Sequence, residues 1–222
     1  MSIIDYILRR KKVQPTGILR NYSGKVIAKS LGCYDLDAYM WNDRNCRPDC
    51  CPICHNTLRK IINQDFSVNM RNRDIGVTYD GYTIISEKFK NFCIEGKYKN
   101  LRVEPLKCKG LYYFEPLDIF GLDYERDGTK FIDKRDCCGS YDEIISPPIM
   151  KSEDFVIQDD DFIMRSEYMF GSYDKKDFVI IVSDKTAKRM KEYGLKGLFF
   201  DNIYDSEDLK ITETIVNRKI YD

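Results

Sequence analysis

Apolar and polar positions form the clearest pattern after residue 75, where short apolar runs are separated by turn residues. Residues 76–86, GVTYDGYTIIS, predict a strand or hairpin, because apolar positions flank the turn dipeptide Asp80-Gly81. Shorter apolar runs predict further strands over residues 25–31, 101–106, 110–120, 155–157 and 161–166.

Two segments predict short helices that directly follow a strand. The first has Ser86 as its N-cap, ends at Gly96, and turns one face inward with Phe89, Phe92 and Cys93. The second is capped by Ser183 or Asp184, ends at Gly194, and turns inward Ala187, Met190 and Tyr193. In both segments a strand is followed by a Ser-acid-Lys triplet, a helix, a short turn and a second strand. This repeat indicates either an ordinary capped unit or an old internal duplication.

A third helix is predicted over residues 56–62, with Asn56 or Thr57 as its N-cap. Its apolar side would carry Leu58, Ile61 and Ile62. Near the N-terminus, a short helix or, almost equally well, a strand is predicted from Ile3, Ile4, Ile7 and Leu8.

These elements predict an α/β (α+β) fold of mixed, mostly antiparallel sheets with at least three short helices. The break at Pro147-Pro148 predicts two lobes joined by a zinc knuckle. Residues 1–147 would form an N-terminal lobe with the cysteine knuckles, and residues 148–222 a strand-helix-strand lobe. Because no clean linker separates them, we expect one compact unit.

Charge and hydropathy argue against broad nucleic-acid binding and against a membrane-spanning protein. The 222 residues include 36 Lys plus Arg and 36 Asp plus Glu, so the formal net charge is zero and a broad nucleic-acid-binding surface is disfavoured. No run of eighteen apolar residues predicts a membrane-spanning helix. The N-terminal basic residues follow the apolar run, the reverse of a signal peptide. We therefore expect a cytoplasmic protein without a membrane partner.

The chain contains one histidine, His55. Paired-histidine zinc proteases and three-histidine catalytic metal sites are therefore excluded. Any serine or cysteine nucleophile activated by histidine would have to use His55, which lies inside a cysteine cluster. The sequence thus predicts a protein that is not an enzyme.

The nine cysteines of a cytoplasmic protein favour metal ligation over disulfides. Cys51-Pro-Ile-Cys54 is a knuckle in which a tight turn points backbone N–H groups at the sulfurs, so that two thiolates can bind one metal ion. A redox pair is one alternative, and unrelated core or surface cysteines are another. A redox pair requires a thioredoxin-like strand before it, and the preceding CRPDC does not resemble one.

A second pair, Cys137-Cys138, precedes Gly139, where the chain is expected to adopt positive φ. The predicted ligands are Cys51, Cys54 and Cys138, with Cys137 next. Cys50, Cys46 and His55 are substitutes. A Zn²⁺ ion bound by both pairs would tie the N-terminal part to the middle of the chain, which is a structural role. Free thiols are expected at Cys33, Cys93 and Cys108.

The order of CPxC, a strand ending in SEKFK, and a second cysteine motif before Gly resembles the double-CxxCG proteins, which are immunity proteins of bacterial polymorphic-toxin systems. A late block, strand, Ser-Asp-Lys, helix and LKGLFF, also resembles related immunity families. The resemblance covers residues 46–203. His55 stands where the family has Gly, and Arg135 where it has a cysteine.

The resemblance implies a cytoplasmic protein that binds and occludes one cognate toxin and has no catalytic site. Sixteen tyrosines agree weakly with a binding surface. The alternative is a zinc-ribbon nucleic-acid-binding protein, in which basic residues flank the first knuckle and Tyr39 and Trp41 stack on bases. Those basic residues are Arg44, Arg47, Arg59 and Lys60. Ordinary solvated surface is the more common explanation for such residues.

Overall fold

A computed structural model describes residues 16–43, 47–126 and 128–217, and within these ranges the chain forms twelve strands and two helices. The strands are β1 (Thr16–Ser23), β2 (Val26–Cys33), β3 (Ile75–Val77), β4 (Thr83–Ser86), β5 (Leu101–Pro105), β6 (Leu111–Pro116), β7 (Lys130–Lys134), β8 (Tyr141–Ile145), β9 (Ile163–Ser172), β10 (Lys175–Val182), β11 (Leu198–Tyr204) and β12 (Lys210–Asn217). The helices are α1 (Glu87–Glu95) and α2 (Asp184–Glu192).

The strands form three sheets in which neighbouring strands are antiparallel. A six-stranded sheet has the order β11-β2-β10-β9-β8-β7, a four-stranded sheet has the order β3-β4-β6-β5, and β1 pairs with β12 in a separate ribbon. The mixed, mostly antiparallel α+β fold class predicted from the sequence is therefore confirmed. No helix in the described ranges is long and apolar enough to cross a membrane.

The predicted hairpin forms between β3 and β4, with Ile75 opposite Ile85. Its turn closes as the Gly81 N–H donates to the Thr78 carbonyl over 2.9 Å. Gly81 has φ +76°, and a Cβ at this position would collide with the Lys176 carbonyl oxygen of β10. Glycine is thus required here both by backbone conformation and by the close approach of a neighbouring strand.

Both helices begin where the sequence predicts. The Ser86 hydroxyl accepts a hydrogen bond from the Phe89 N–H, and the Ser183 hydroxyl accepts one from the Thr186 N–H. Gly194, with φ +74°, follows the end of α2. The inward faces of both helices enter one core that lies between the two larger sheets, and its helical members are Phe89, Phe92, Cys93, Ala187 and Met190.

The predicted helix over residues 56–62 is wrong. Thr57 instead pairs with Cys50 in an isolated β-bridge, and the Leu58 N–H donates to the Asp49 carbonyl over 2.9 Å. The Asn56 carbonyl, which would accept the first hydrogen bond of the helix, instead accepts one from the Cys51 N–H over 2.9 Å. Ile62 of the predicted apolar side is buried, but Leu58 is 44% exposed, so the side does not pack as one helical face.

Residues 155–157 also form no strand. Phe155 packs on Phe120 with ring centroids 4.8 Å apart, while Val156 is 73% exposed. The prediction for residues 3–8 lies outside the described residues.

The six-stranded sheet draws strands from both sides of Pro147. β2, β7 and β8 come before it, and β9, β10 and β11 come after it. Residues 1–147 and residues 148–222 therefore contribute strands to the same sheet, and the boundary expected at Pro147 falls in the connection between β8 and β9. The turn with Cys137 and Cys138 joins β7 to β8, and the Lys176 side chain of β10 hydrogen-bonds to Asn56, which follows the turn with Cys51 and Cys54.

Candidate metal centre

The first cysteine turn is closed by its own backbone. The Cys51 N–H donates to the Asn56 carbonyl and the His55 N–H donates to the Cys51 carbonyl, each over 2.9 Å. The backbone N–H groups of Ile53 and Cys54 point at the Cys51 sulfur. His55 has φ +59°, the left-handed conformation that glycine adopts at least cost. His55 thus takes up the backbone geometry of the glycine expected from the resemblance.

The second cysteine turn joins β7 to β8. The Arg135 N–H donates to the Ser140 carbonyl, and the Gly139 N–H donates to the Arg135 carbonyl, each over 2.7 Å. Gly139 has φ +71°, as the sequence predicts, and nothing lies within 4 Å of the position of an added Cβ. Backbone conformation alone therefore explains the glycine. The Ser140 N–H points at the Cys138 sulfur, as in the first turn.

The two turns bring together Cys51, Cys54, Cys137 and Cys138, whose sulfurs all lie within 4.8 Å of one another. The Cys51 and Cys137 sulfurs are 3.8 Å apart, and the Cys54 and Cys138 sulfurs are 3.6 Å apart. A tetrahedral ion with metal–sulfur bonds of about 2.3 Å places its sulfurs roughly 3.8 Å apart. A disulfide requires about 2.0 Å. The four thiols therefore fit a metal ion, and every cysteine of the described ranges is free.

The predicted substitutes lie elsewhere. The Cys50 sulfur is buried against the Thr57 hydroxyl at 4.0 Å, and burial raises its pKa to about 11. His55 is exposed and does not join the cluster, and Cys46 lies outside the described residues. The thiol of Cys93 is buried in the helical core, where burial raises its pKa to about 12. Cys50 and Cys93 are therefore neutral thiols at pH 7.

The pKa values of Cys51 and Cys137 are shifted in opposite directions. The backbone N–H groups of Cys54 and Ile53 lower the pKa of Cys51 to about 7, because they stabilise its thiolate. Loss of water around the Cys137 sulfur, followed by the effect of the neighbouring thiols, raises its pKa to about 12. Four thiolates this close repel one another, and a bound cation supplies the charge that lets all four ionise together.

Polar side chains from distant parts of the chain support the cluster. Asn56 is fully buried and donates its amide to the Cys54 sulfur at 3.4 Å and to Asp142 Oδ1 at 2.8 Å. The buried Lys176 ammonium donates to Asn56 Oδ1 at 2.9 Å. Arg135 pairs with Asp142. A divalent ion with four thiolates carries a charge of −2, which the nearby ammonium and guanidinium partly offset.

Sequence reasoning missed these supporting residues, since Asp142 and Lys176 are 86 and 120 residues away from Asn56 along the chain. The one local signal is Arg135, which occupies a position where the resemblance predicts a cysteine. Its pairing with Asp142 across the β7–β8 turn explains why an arginine stands there.

Two of the predicted basic surface residues are buried. Arg47 is 6% exposed and binds Asp49 through two hydrogen bonds, with Asp80 and Asp174 also within ion-pair distance. Lys60 is 5% exposed. Its ammonium donates to the carbonyl oxygens of Asp80, Gly81 and Lys176. Both cations therefore fasten the first cysteine turn to its neighbours. Arg59 is exposed, and Arg44 lies outside the described residues.

Comparison with models of known protein families found no match for this chain, and a search of curated proteins likewise found none. The resemblance to immunity proteins therefore depends on its motifs alone. The capacity of the four cysteines to hold a metal ion depends on their geometry.

Proposed function

We propose that Cys51, Cys54, Cys137 and Cys138 bind one structural Zn²⁺ ion and that the chain is a non-catalytic binding protein. Its role is that of a cytoplasmic immunity protein that binds and neutralises a cognate bacterial toxin. The observation that carries the proposal is the clustering of four thiols at tetrahedral spacing. Four protein ligands fill a tetrahedral shell and leave no position for water or substrate, which favours structure over catalysis.

The surface of the first knuckle supports a binding role. Ile53 is 73% exposed in the middle of the turn, and Leu58 and Tyr173 are 44% and 45% exposed. The Thr57 N–H donates to the Tyr173 carbonyl over 3.0 Å, which holds the tyrosine backbone beside the cysteine loop. Apolar and aromatic side chains on a loop fixed by a metal ion can bind a protein at low entropic cost.

The order of the motifs supports the immunity role within this class. The CPxC turn, the Ser86 cap and the second cysteine turn occur in the order of the double-CxxCG proteins, and both cysteine turns contribute to the same cluster. The nucleic-acid alternative loses support, because Arg47 and Lys60 are buried and hydrogen-bonded within the protein.

The first test is affinity capture of the tagged, zinc-loaded chain from its native cells, followed by reconstitution with the purified candidate partner. We expect a 1:1 complex in light scattering, and growth rescue when the chain is co-expressed with the partner in a bacterial host. A harmless partner, or no stable complex, would contradict the immunity role. Nucleic acid that is released by salt would favour the alternative.

A matched pair of substitutions tests the proposed surface. Ile53 and Val156 are each 73% exposed, and only Ile53 belongs to the knuckle. Ile53→Asp should weaken the complex by at least about tenfold, because the aspartate would lose apolar contact and be desolvated at the interface. Val156→Asp should leave affinity unchanged. Equal loss in both variants, or in neither, would exclude the knuckle as the binding surface.

A further inference from the structure

A cleft of about 500 Å³ opens where β2 and β10 separate. β10 pairs with β2 only over residues 180–182, and the last pair is Ile180 with Leu31. β2 continues beyond this pair to Cys33, where it pairs with β11 alone. The cleft lies between residues 32–33 of β2 and residues 177–179 of β10. Its volume falls in the range of small-molecule pockets, roughly 300–1,000 Å³.

An irregularity in the pairing of β9 with β10 adjoins the cleft. The register of β10 against β9 shifts between Phe178 and Ile180. The intervening Val179 N–H donates to the Ser166 hydroxyl over 3.0 Å. Bulges bend a strand and redirect its side chains, and they are frequent beside binding sites. Here the extra residues lie in β9, and the β10 residue that faces them is Val179, which lines the cleft.

The walls of the cleft are mostly apolar. Side chains from β2, β3, β10 and β11 contribute, and the segment after β8 adds the Pro147-Pro148 pair that interrupts the sequence pattern. Typical wall residues are Val77, Pro147, Pro148, Ile149 and Ile180. Such walls suit the hydrocarbon part of a ligand.

Among the described residues that line the cleft, the charged ones are Asp177 and Asp201, both acidic. Asp177 accepts hydrogen bonds from the Phe178 N–H at 2.8 Å and the Thr83 hydroxyl at 3.2 Å. Its side chain remains 26% exposed. A carboxylate has about four acceptor positions, so Asp177 can accept further hydrogen bonds from a ligand. The Lys60 ammonium lies 3.9 Å from Asp177 and belongs to the carbonyl-bound group described above.

An exposed aromatic ring forms the mouth. Phe199 is 44% exposed and lies directly over Gly32, where any Cβ would collide with the ring. Tyr34 packs against its edge with centroids 5.7 Å apart. The ring is held in position and yet accessible, which is the arrangement in which an aromatic face attracts a cation.

We propose that this cleft binds a small organic cation, a primary ammonium on an apolar stem. The Asp201 carboxylate, two residues from Phe199 and on the same face of β11, receives the ammonium, and Phe199 with the apolar walls covers the stem. This site is separate from the metal centre, since none of the four clustered cysteines lines it. The proposal does not depend on the immunity role.

The test compares three six-carbon probes by calorimetry on the zinc-loaded protein at pH 7.5, namely hexylammonium, 1-hexanol and hexanoate. Hexylammonium should bind at least about tenfold more tightly than 1-hexanol, because its hydrogen bond to the carboxylate joins two opposite charges whereas the hydroxyl is neutral. Hexanoate should bind more weakly than 1-hexanol. No detectable binding of hexylammonium, or equal binding of all three probes, would overturn the proposal.

Two variants assign the binding to the cleft. Asp201→Asn changes an exposed residue and should weaken hexylammonium binding severalfold without changing 1-hexanol binding. Phe199→Leu should weaken the binding of both probes. Glu207→Gln is the control, since Glu207 is exposed and does not line the cleft. Unchanged hexylammonium affinity in Asp201→Asn and Phe199→Leu would place binding elsewhere and refute the assignment.

Discussion

The core beneath the two helices is built from hydrocarbon, whereas the loop that carries Cys51 and Cys54 is held by charges, amides and thiols. In the helical core, Phe89 packs on Phe92 and Phe114 with ring centroids 6.2 and 5.3 Å apart. In the cysteine region, buried polar side chains connect segments far apart in the chain, and they are Arg47, Asp49, Asn56, Asp142 and Lys176.

This difference has a consequence for folding. The helical core needs only burial of apolar surface, which is independent of metal and little affected by pH. The cysteine region buries polar groups that are stabilising only when all their partners are in place. We therefore expect the core to fold without metal, and the cysteine region to become ordered only when the ion is bound.

The largest expected effect is that of removing a metal ligand. Cys138→Ser should abolish stoichiometric zinc binding and destabilise the cysteine region by about 4 kcal/mol or more, because structural zinc contributes roughly 10–16 kcal/mol in small zinc-dependent folds. Zinc content and urea unfolding measure both effects. Cys108→Ser is the control, since this free cysteine lies outside the cluster. Full zinc retention in Cys138→Ser would contradict the assignment of Cys138 as a ligand.

The next effect belongs to the hydrocarbon core. Phe89 is fully buried, and Phe89→Ala should cost about 3–5 kcal/mol in urea unfolding through lost burial and a cavity. Ile94→Ala on the same helix, where Ile94 is 62% exposed, should cost less than about 0.5 kcal/mol. The cost of Phe89→Ala should be the same with and without chelator. If chelation removed that cost, the core would also depend on the metal.

A smaller effect is expected for the amide that contacts the cluster. Asn56→Ala leaves the four cysteines intact but removes partners of Cys54, Asp142 and Lys176. Zinc affinity, measured by competition with a chelating dye, should fall about 10- to 100-fold, as for other groups that orient metal ligands. Asn202→Ala, an exposed amide on β11, should leave affinity unchanged. Wild-type affinity in Asn56→Ala would show that the amide does not support the site.

The smallest effects are those of the helix caps. Ser86→Ala and Ser183→Ala should each cost about 1 kcal/mol in thermal or urea unfolding, because each leaves a helical N–H without its side-chain acceptor. Zinc affinity should stay the same in both variants, since neither serine contacts the cysteines. A fall in zinc affinity would mean that the two regions are coupled.

Features fixed by a few neighbouring residues could be predicted from the sequence. The caps at Ser86 and Ser183, the Asp80-Gly81 turn and the left-handed Gly139 are of this kind. Each depends on bonds within about four residues, so local chemistry decides it. The CPxC turn is local in the same way, and its N–H groups point at the Cys51 sulfur as expected.

Features decided by distant contacts could not be predicted. Residues 56–62 have the periodicity of a helix. However, the Leu58 N–H donates a hydrogen bond to the Asp49 carbonyl, and the Lys60 ammonium donates to carbonyl groups of residues far away in the sequence. Arg47 and Lys60 are buried in the same way, although their positions beside the knuckle in the sequence predict an exposed location. The cleft likewise arises from the separation of two strands, which no local pattern records.

X-ray absorption at the metal edge, combined with metal analysis of the purified chain, tests most directly whether four cysteines from two turns bind one metal ion. We predict one zinc per chain, surrounded by four sulfur atoms at about 2.3 Å. A first shell containing nitrogen or oxygen, or a chain purified under reducing conditions that binds no zinc at micromolar concentration, would contradict the account.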